Sequence, residues 1–156
     1  VISVAKLGYS FRVENEEKIA KAMGRAMRIS PKWSIEIARE LRGMKLEKAK
    51  RYLEDIIAMR RPLPLRRFKK GVAHRRGLVK AYAGRYPQKA AKHVLKLLES
   101  AQANAEYKGL DPERLFIKHI AAQRGPVIRG WLPRAYGRAT PHNTPTTHME
   151  VILEER

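Results

Sequence analysis

The run Arg114-Leu115-Phe116-Ile117-Lys118-His119-Ile120-Ala121-Ala122-Gln123 opens a segment that closes on Thr146-Thr147-His148-Met149-Glu150-Val151-Ile152-Leu153. Both ends alternate as half-buried strands do. Leu115, Ile117 and Ala121 alternate with Phe116, Lys118 and Ile120, and on the return Met149, Val151 and Leu153 alternate with His148, Glu150 and Ile152. Between them lie Arg124, Arg129, Arg134 and Arg138, with Trp131, Tyr136 and His142, and no Asp or Glu occurs from Arg114 to Met149. Unstructured connections longer than about 12–15 residues are uncommon in a small domain and are usually functional or disordered. The pattern therefore predicts a long hairpin whose apolar ends join the core and whose cationic middle projects. At about 3.3 Å per residue, a strand from Arg114 to a turn near Trp131 spans about 50–60 Å.

Working outward, 156 residues suffice for one domain with a modest core. Lys and Arg total 34 against 15 Asp and Glu, a formal charge of +19. Such an excess repels itself unless a partner neutralises it, and nucleic acid is the commonest such partner, anionic membrane the second. No run of eighteen or more apolar residues occurs, so a membrane partner is not expected. The absence of Cys removes disulfide and thiolate chemistry and fits a reducing, cytoplasmic setting. A hydrophobic fraction of 44% excludes a wholly disordered basic tail.

Three helices are predicted. Ser30-Pro31 is a start signal, with Ser expected to cap free amides and Pro suited to the first helical position. Trp33, Ile37 and Leu41 follow at helical spacing, and Gly43 supplies the stop. Leu46, Ala49, Leu53, Ile56 and Ile57 form the stripe of a second helix, ended by Pro62; the short Gly-containing link predicts that the pair packs as an αα-hairpin. Pro87 opens the third, with Ala91, Val94, Leu95, Leu98, Ala101, Gln102 and Ala105 on one stripe and Gly109 after its end. Near the start, Tyr9 to Val13 alternates as a short strand would, and Glu14, Glu16 and Glu17 precede a possible short helix from Lys18 to Met23.

Residues 62–86 break every period. This stretch and its flanks carry Arg60, Arg61, Arg66, Arg67, Lys69, Lys70, Arg75, Arg76 and Arg85, and no acid occurs from Ile56 to Leu98. A mobile basic loop that a polyanion orders is the expectation.

Catalytic and metal signatures are missing. Ser10, Ser30, Ser34 and Ser100 lack the context of a nucleophile elbow, and no phosphate-binding Gly-rich loop occurs. Glu36, Glu40, Glu54 and Asp55 sit beside Lys and Arg on helices, which predicts surface ion pairs. His74, His93, His119, His142 and His148 have no zinc-ligand spacing; His119 and His148 are placed to face each other across the arm's strands. No enzyme activity, small-molecule substrate, cofactor or metal is expected. The arm's arginines present planar forks that match phosphate and stack on bases, and Trp131 and Tyr136 interleave flat surfaces among them. A DNA-binding or nucleic-acid-compacting protein is the alternative, but the helices lack the short polar reading face of a helix-turn-helix.

The residues now reached carry a resemblance. Leu132-Pro133-Arg134-Ala135-Tyr136-Gly137-Arg138-Ala139 resembles a segment of the large-subunit ribosomal protein family numbered twenty-two in bacteria and seventeen in eukaryotes. Ile29-Ser30-Pro31-Lys32, Leu41-Arg42-Gly43-Met44, Asn104-Ala105 and His148-Met149-Glu150-Val151 extend it over nearly the whole chain. Gly84-Arg85-Tyr86-Pro87 and the run from Asn104 to Asp111 resemble the archaeal–eukaryotic branch, archaeal members above all.

The resemblance implies an α+β fold of three helices packed on a small antiparallel sheet, with a long protruding β-hairpin arm. It implies one domain, its body at about 1–113 and 149–156, including the basic loop 62–86, and its arm at about 114–148. It further implies a structural constituent of the large ribosomal subunit, in the cytoplasm, that binds several rRNA domains, adjoins other large-subunit proteins, aids assembly and lines the nascent-peptide exit tunnel. The rRNA contacts expected are Lys32, Lys89, Lys118, His119 and His142, the nine cations of residues 60–85 named above, and Arg124, Arg129, Trp131, Arg134, Tyr136 and Arg138. The exit-tunnel tip would comprise Arg129, Gly130, Trp131, Leu132, Pro133 and Arg134.

Overall fold

The computed structural model describes residues 8–13 and 16–156. In chain order it contains β1 (Ile19–Met27), α1 (Pro31–Leu41), α2 (Leu46–Ile57), β2 (Leu63–Pro64), β3 (Gly84–Arg85) and α3 (Gln88–Tyr107). A 3-10 turn (Pro112–Arg114) leads into β4 (Leu115–Ile128), then β5 (Trp131–Pro133), β6 (Ala139–Pro141) and β7 (Thr144–Glu155). The fold is α+β, with three helices and an antiparallel sheet ordered β1-β7-β4.

The last strand is the middle one. Met149, Val151 and Leu153 on β7 join the core beneath the helices, and Ile152 and Glu150 on its other face are buried as well. A strand with neighbours on both edges and cover on both faces needs a second partner besides β4. Residues 19–27 supply it, which overturns the expected helix at residues 18–23; Glu14 of that expectation lies outside the described residues. Ala, Lys and Met favour helix, but β1 pairs with β7 from Ile19↔Glu154 to Met27↔Thr147, and tertiary pairing overrides a weak local preference. Its outer edge is covered from α3: Asn104 Nδ2 donates to the Lys21 carbonyl and Lys108 Nζ to the Ile19 carbonyl, both at 2.9 Å. Tyr9 to Val13 forms no strand; it runs as bends and irregular backbone.

The predicted helix limits hold, with two corrections. Pro31 opens α1, but the Ser30 side chain makes no capping bond; instead the Ser34 hydroxyl donates to the Ser30 carbonyl at 2.9 Å. Nor do α1 and α2 form an αα-hairpin. The link between them is sewn to β4, with Gly43 N–H donating to the Ile117 carbonyl and Ile117 N–H to the Met44 carbonyl, each at 2.9 Å. Gly43 takes a φ of +79°, a left-handed turn that glycine adopts without strain. Consequently α1 lies on the β4 and β7 side of the sheet, while α2 runs along α3. The small residues Ala91, Ala101 and Ala105 on α3 and Ala49 on α2 are fully buried, as close helix approach requires.

Strand β4 departs from strict alternation. Ile117 pairs with Leu153 but His119 with Ile152, so Lys118 is an extra residue opposite β7. This bulge turns Ile120 inward, where it is fully buried beside Leu115 and Ile117, while Ala121 is only half-buried. A second shift lies between Arg124↔Thr147 and Val127↔Pro145, around Gly125 and Pro126. Beyond it the hairpin continues as β5 paired with β6, and every residue of those two strands is exposed.

Candidate nucleic-acid interface

The far end of the hairpin is held by its own backbone. Trp131 pairs with Pro141 and Pro133 with Ala139, so the turn lies farther out than a position near Trp131. Arg134 N–H donates to the Arg138 carbonyl at 2.9 Å and Arg138 N–H to the Ala135 carbonyl at 3.4 Å. Tyr136 and Gly137 have φ of +59° and +64°, the left-handed pair at the centre of the turn closed by the Arg138 N–H on the Ala135 carbonyl. This turn drives the Tyr136 ring outward, 95% exposed, with Trp131 70% exposed on β5. Arg129 and Gly130 join β4 to β5, and Leu132 and Pro133 complete β5. Gly130 is required by space: a Cβ there would stand 2.9 Å from the His142 carbonyl oxygen, whose own N–H donates to the Gly130 carbonyl at 2.6 Å.

Arg124, Arg129 and Arg138 have no carboxylate partner among the described residues, and Arg134 reaches only the Thr140 hydroxyl at 3.4 Å. Exposed guanidinium forks beside exposed aromatic rings can take phosphate oxygens and base faces together.

The basic loop is built differently, and less loosely than its sequence suggests. Leu63, Leu65 and Ala83 are fully buried core residues. Leu65 N–H donates to Ala83 and Arg75 N–H to Tyr82, both at 2.9 Å, folding the segment back on itself. Glu36 holds it from below. This α1 carboxylate is 1% exposed and accepts the backbone N–H groups of Arg67 at 2.7 Å and Phe68 at 2.8 Å, so it is a buried anchor rather than half of a surface ion pair. Glu40 does pair outward, with Arg66 at 3.2 Å, and Asp55 with Arg60 at 2.8 Å.

Aromatic rings steer the remaining cations. The Arg61 guanidinium stands 4.9 Å from the Tyr52 ring centre and Arg67 5.4 Å from Phe68, with Lys32 on that same ring at 5.9 Å. Lys69 lies over Tyr82 and Arg75 over Tyr86. Burial, helped by the nearby Glu40 carboxylate, pushes the Tyr52 hydroxyl up to about 12, so that ring stays neutral beneath Arg61. Lys70, Arg76 and Lys89 are exposed and Arg85 is half-buried on β3.

Two predicted contacts are engaged within the protein. Lys118 pairs with Glu154, whose carboxyl is held below the usual range chiefly by that hydrogen bond. His119 Nε2 lies 3.0 Å from Glu150, and its ring stacks on Phe11 at 5.0 Å. Burial alone would raise the Glu150 carboxyl, but the Ser10 hydroxyl and amide and His119 outweigh it and hold it low. His119 and His148 do not face each other: His119 is opposite Ile152, while His148 is opposite Gln123 and accepts the Ala26 N–H at 3.0 Å. Among the described residues no cluster of His, Asp and Glu is arranged to hold a metal, and no helix is long and apolar enough to cross a membrane.

An α+β body thus carries a cationic hairpin beyond its core and an anchored basic loop beside it. The comparisons give the family. Residues 22–154 match the family described as Ribosomal protein L22p/L17e. The chain is 59% identical over 143 residues to the large ribosomal subunit protein uL22 of Methanopyrus kandleri, covering 91% of this chain and 90% of that one. It is 55% identical to uL22 of Archaeoglobus fulgidus, over 98% of this chain and 99% of that one, and 54% identical to uL22 of Methanocaldococcus jannaschii, over 99% of both. The chain belongs to the ribosomal protein L22p/L17e family, with archaeal relatives along nearly its full length, and so to a family of ribosomal proteins and not of enzymes.

Proposed function

We propose that this chain is a structural constituent of the large ribosomal subunit that binds rRNA as one domain, through the loop 62–86 and through an arm at about residues 114–148 whose end lines the nascent-peptide exit tunnel. The observation that carries the reading is the acid-free far end of the hairpin, where Arg129, Arg134 and Arg138 stand exposed beside Trp131 and Tyr136. The body supplies stability, the loop cations neutralise phosphate, and the arm threads between RNA segments, with the tip residues Arg129 to Arg134 and the turn beyond them nearest the emerging polypeptide. Lys118 and His119 contribute least, since each already has a carboxylate partner.

Co-sedimentation with large subunits through a high-salt gradient tests the assignment; loss of the chain while other core proteins stay bound would count against it. Arg134→Ala combined with Arg138→Ala is expected to lower rRNA affinity and to reduce the log–log salt slope by about 1.4–1.8, as two lost phosphate contacts require. The melting temperature of the free protein should not move, because neither side chain contacts the core.

A further inference from the structure

Where the arm leaves the body, two clefts adjoin. One, of about 440 Å³, lies among Arg28, Trp33, Tyr86 and Lys89; the other, of about 420 Å³, lies among Lys32, Arg124 and Val127. Ser30 and Pro145 line both, so the two form a single groove across the arm's root. Its composition sets it apart. It has four cations and no carboxylate, whereas other clefts of the described structure contain Glu16, Glu40, or Glu47 with Glu113.

The walls are fixed before anything binds. The Thr147 hydroxyl donates to the Ile29 carbonyl at 2.8 Å, tying the turn before α1 to β7. Gln88 donates through its side chain to the Ile57 carbonyl at 2.9 Å, seating the start of α3 against the end of α2. Trp33 is half-buried against the core and lines the groove, as does the half-buried Tyr86, which has the Arg75 guanidinium 5.7 Å from its ring centre. Such preorganisation lowers the cost of ordering side chains on binding.

We propose that this groove binds unpaired nucleotides of an RNA strand, a base lodging against Trp33 and Tyr86 while Arg28, Lys89, Lys32 and Arg124 hold the phosphates on either side. The inference rests on the rRNA-binding function proposed above and gives it a specific site. A recessed aromatic wall can stack on a base splayed out of a strand, but a base inside a duplex has no free face to offer it. An acidic peptide would satisfy the cations and leave the two rings without a flat partner.

The test uses the full chain carrying Trp131→Phe, so that of its two tryptophans only Trp33 reports. Fluorescence is titrated with a short single-stranded RNA, with a duplex RNA of the same length and with polyglutamate, while co-sedimentation with large subunits is followed in parallel. Single-stranded RNA is expected to quench Trp33 and to bind about tenfold or more tightly than the duplex, by the strength of one base–aromatic stack. Arg28→Glu with Lys89→Glu, both exposed positions, should abolish the quench with an unchanged circular dichroism spectrum. Co-sedimentation without any quench by single-stranded RNA would overturn the groove and leave the rRNA function standing. Equal quenching by the duplex would overturn the unpaired-base occupant, and equal quenching by polyglutamate would assign the groove to a protein. Failure of the unaltered chain to co-sediment would overturn the rRNA reading and the groove with it.

Discussion

The two acid-poor basic regions are alike in composition and opposite in construction. The loop 62–86 is fastened to the core from beneath by Glu36 and at its flank by the Glu40–Arg66 pair; just before it Arg61 lies over Tyr52 of α2, and within it Arg67, Lys69 and Arg75 lie over the loop's own rings. The far end of the hairpin has none of these fastenings; strand pairing and one tight turn carry it. Cations close to a body can be oriented by buried groups, whereas cations carried beyond it must rely on main-chain bonds, which do not depend on a core.

That contrast can be broken most forcefully at Glu36. Glu36→Ala removes a buried acceptor of two backbone N–H groups, and hydrogen bonds to a charged group contribute about 1.5–3 kcal/mol each. A loss of about 3 kcal/mol is expected, with rapid hydrogen exchange at Arg67 and Phe68 and unchanged protection in the arm; continued protection at those two amides would show that the loop does not need its anchor. Next in size is Gly130→Ala. Its Cβ would press on the His142 carbonyl, and crowding of this kind costs about 1–3 kcal/mol. Here the arm amides should lose protection while the body melts at its former temperature, and a fall in body stability would mean that arm and body are coupled.

The smallest effect concerns Glu150. Its folded carboxyl is held below the ordinary glutamate value of about 4.3, so its contribution is present above that value and is lost as pH falls through the lower folded one. Glu150→Gln should flatten the stability curve below about pH 4 and leave loop and arm exchange unaltered at neutral pH. A stability curve whose acid limb is unchanged by the substitution would show that the Ser10 and His119 contacts carry no free energy.

Features written in local chemistry were legible in the sequence. Ser30-Pro31, Gly43, Pro87 and Gly109 mark helix limits that the structure keeps within a residue or so, and the hairpin follows from the alternating ends and cationic middle of residues 114–153, though its bulges do not. Strand β1 was illegible because its Ala, Lys and Met residues prefer helix, and the demand for a strand arises on β7, more than a hundred residues away. Glu36 was misread for a related reason: a carboxylate among helix cations suggests solvent, and its partners are main-chain amides that sequence does not advertise. Its place one residue before the buried Ile37, on the flank of the apolar stripe, was the available hint. The groove at the arm's root could not be foreseen, because Trp33 reads as core and Tyr86 as loop until the fold brings them together.

The extra residue at Lys118 sets the compass bearing of the whole arm. Side chains on a strand alternate, so if Lys118 were instead paired opposite Ile152, every position from His119 outward would take the opposite face. Ile120 would leave the core, and the outer part of β4 would turn its other face outward. The same residues, unchanged in identity and order, would then stand on exchanged faces, and a hairpin of the same length and charge would aim its cations the other way.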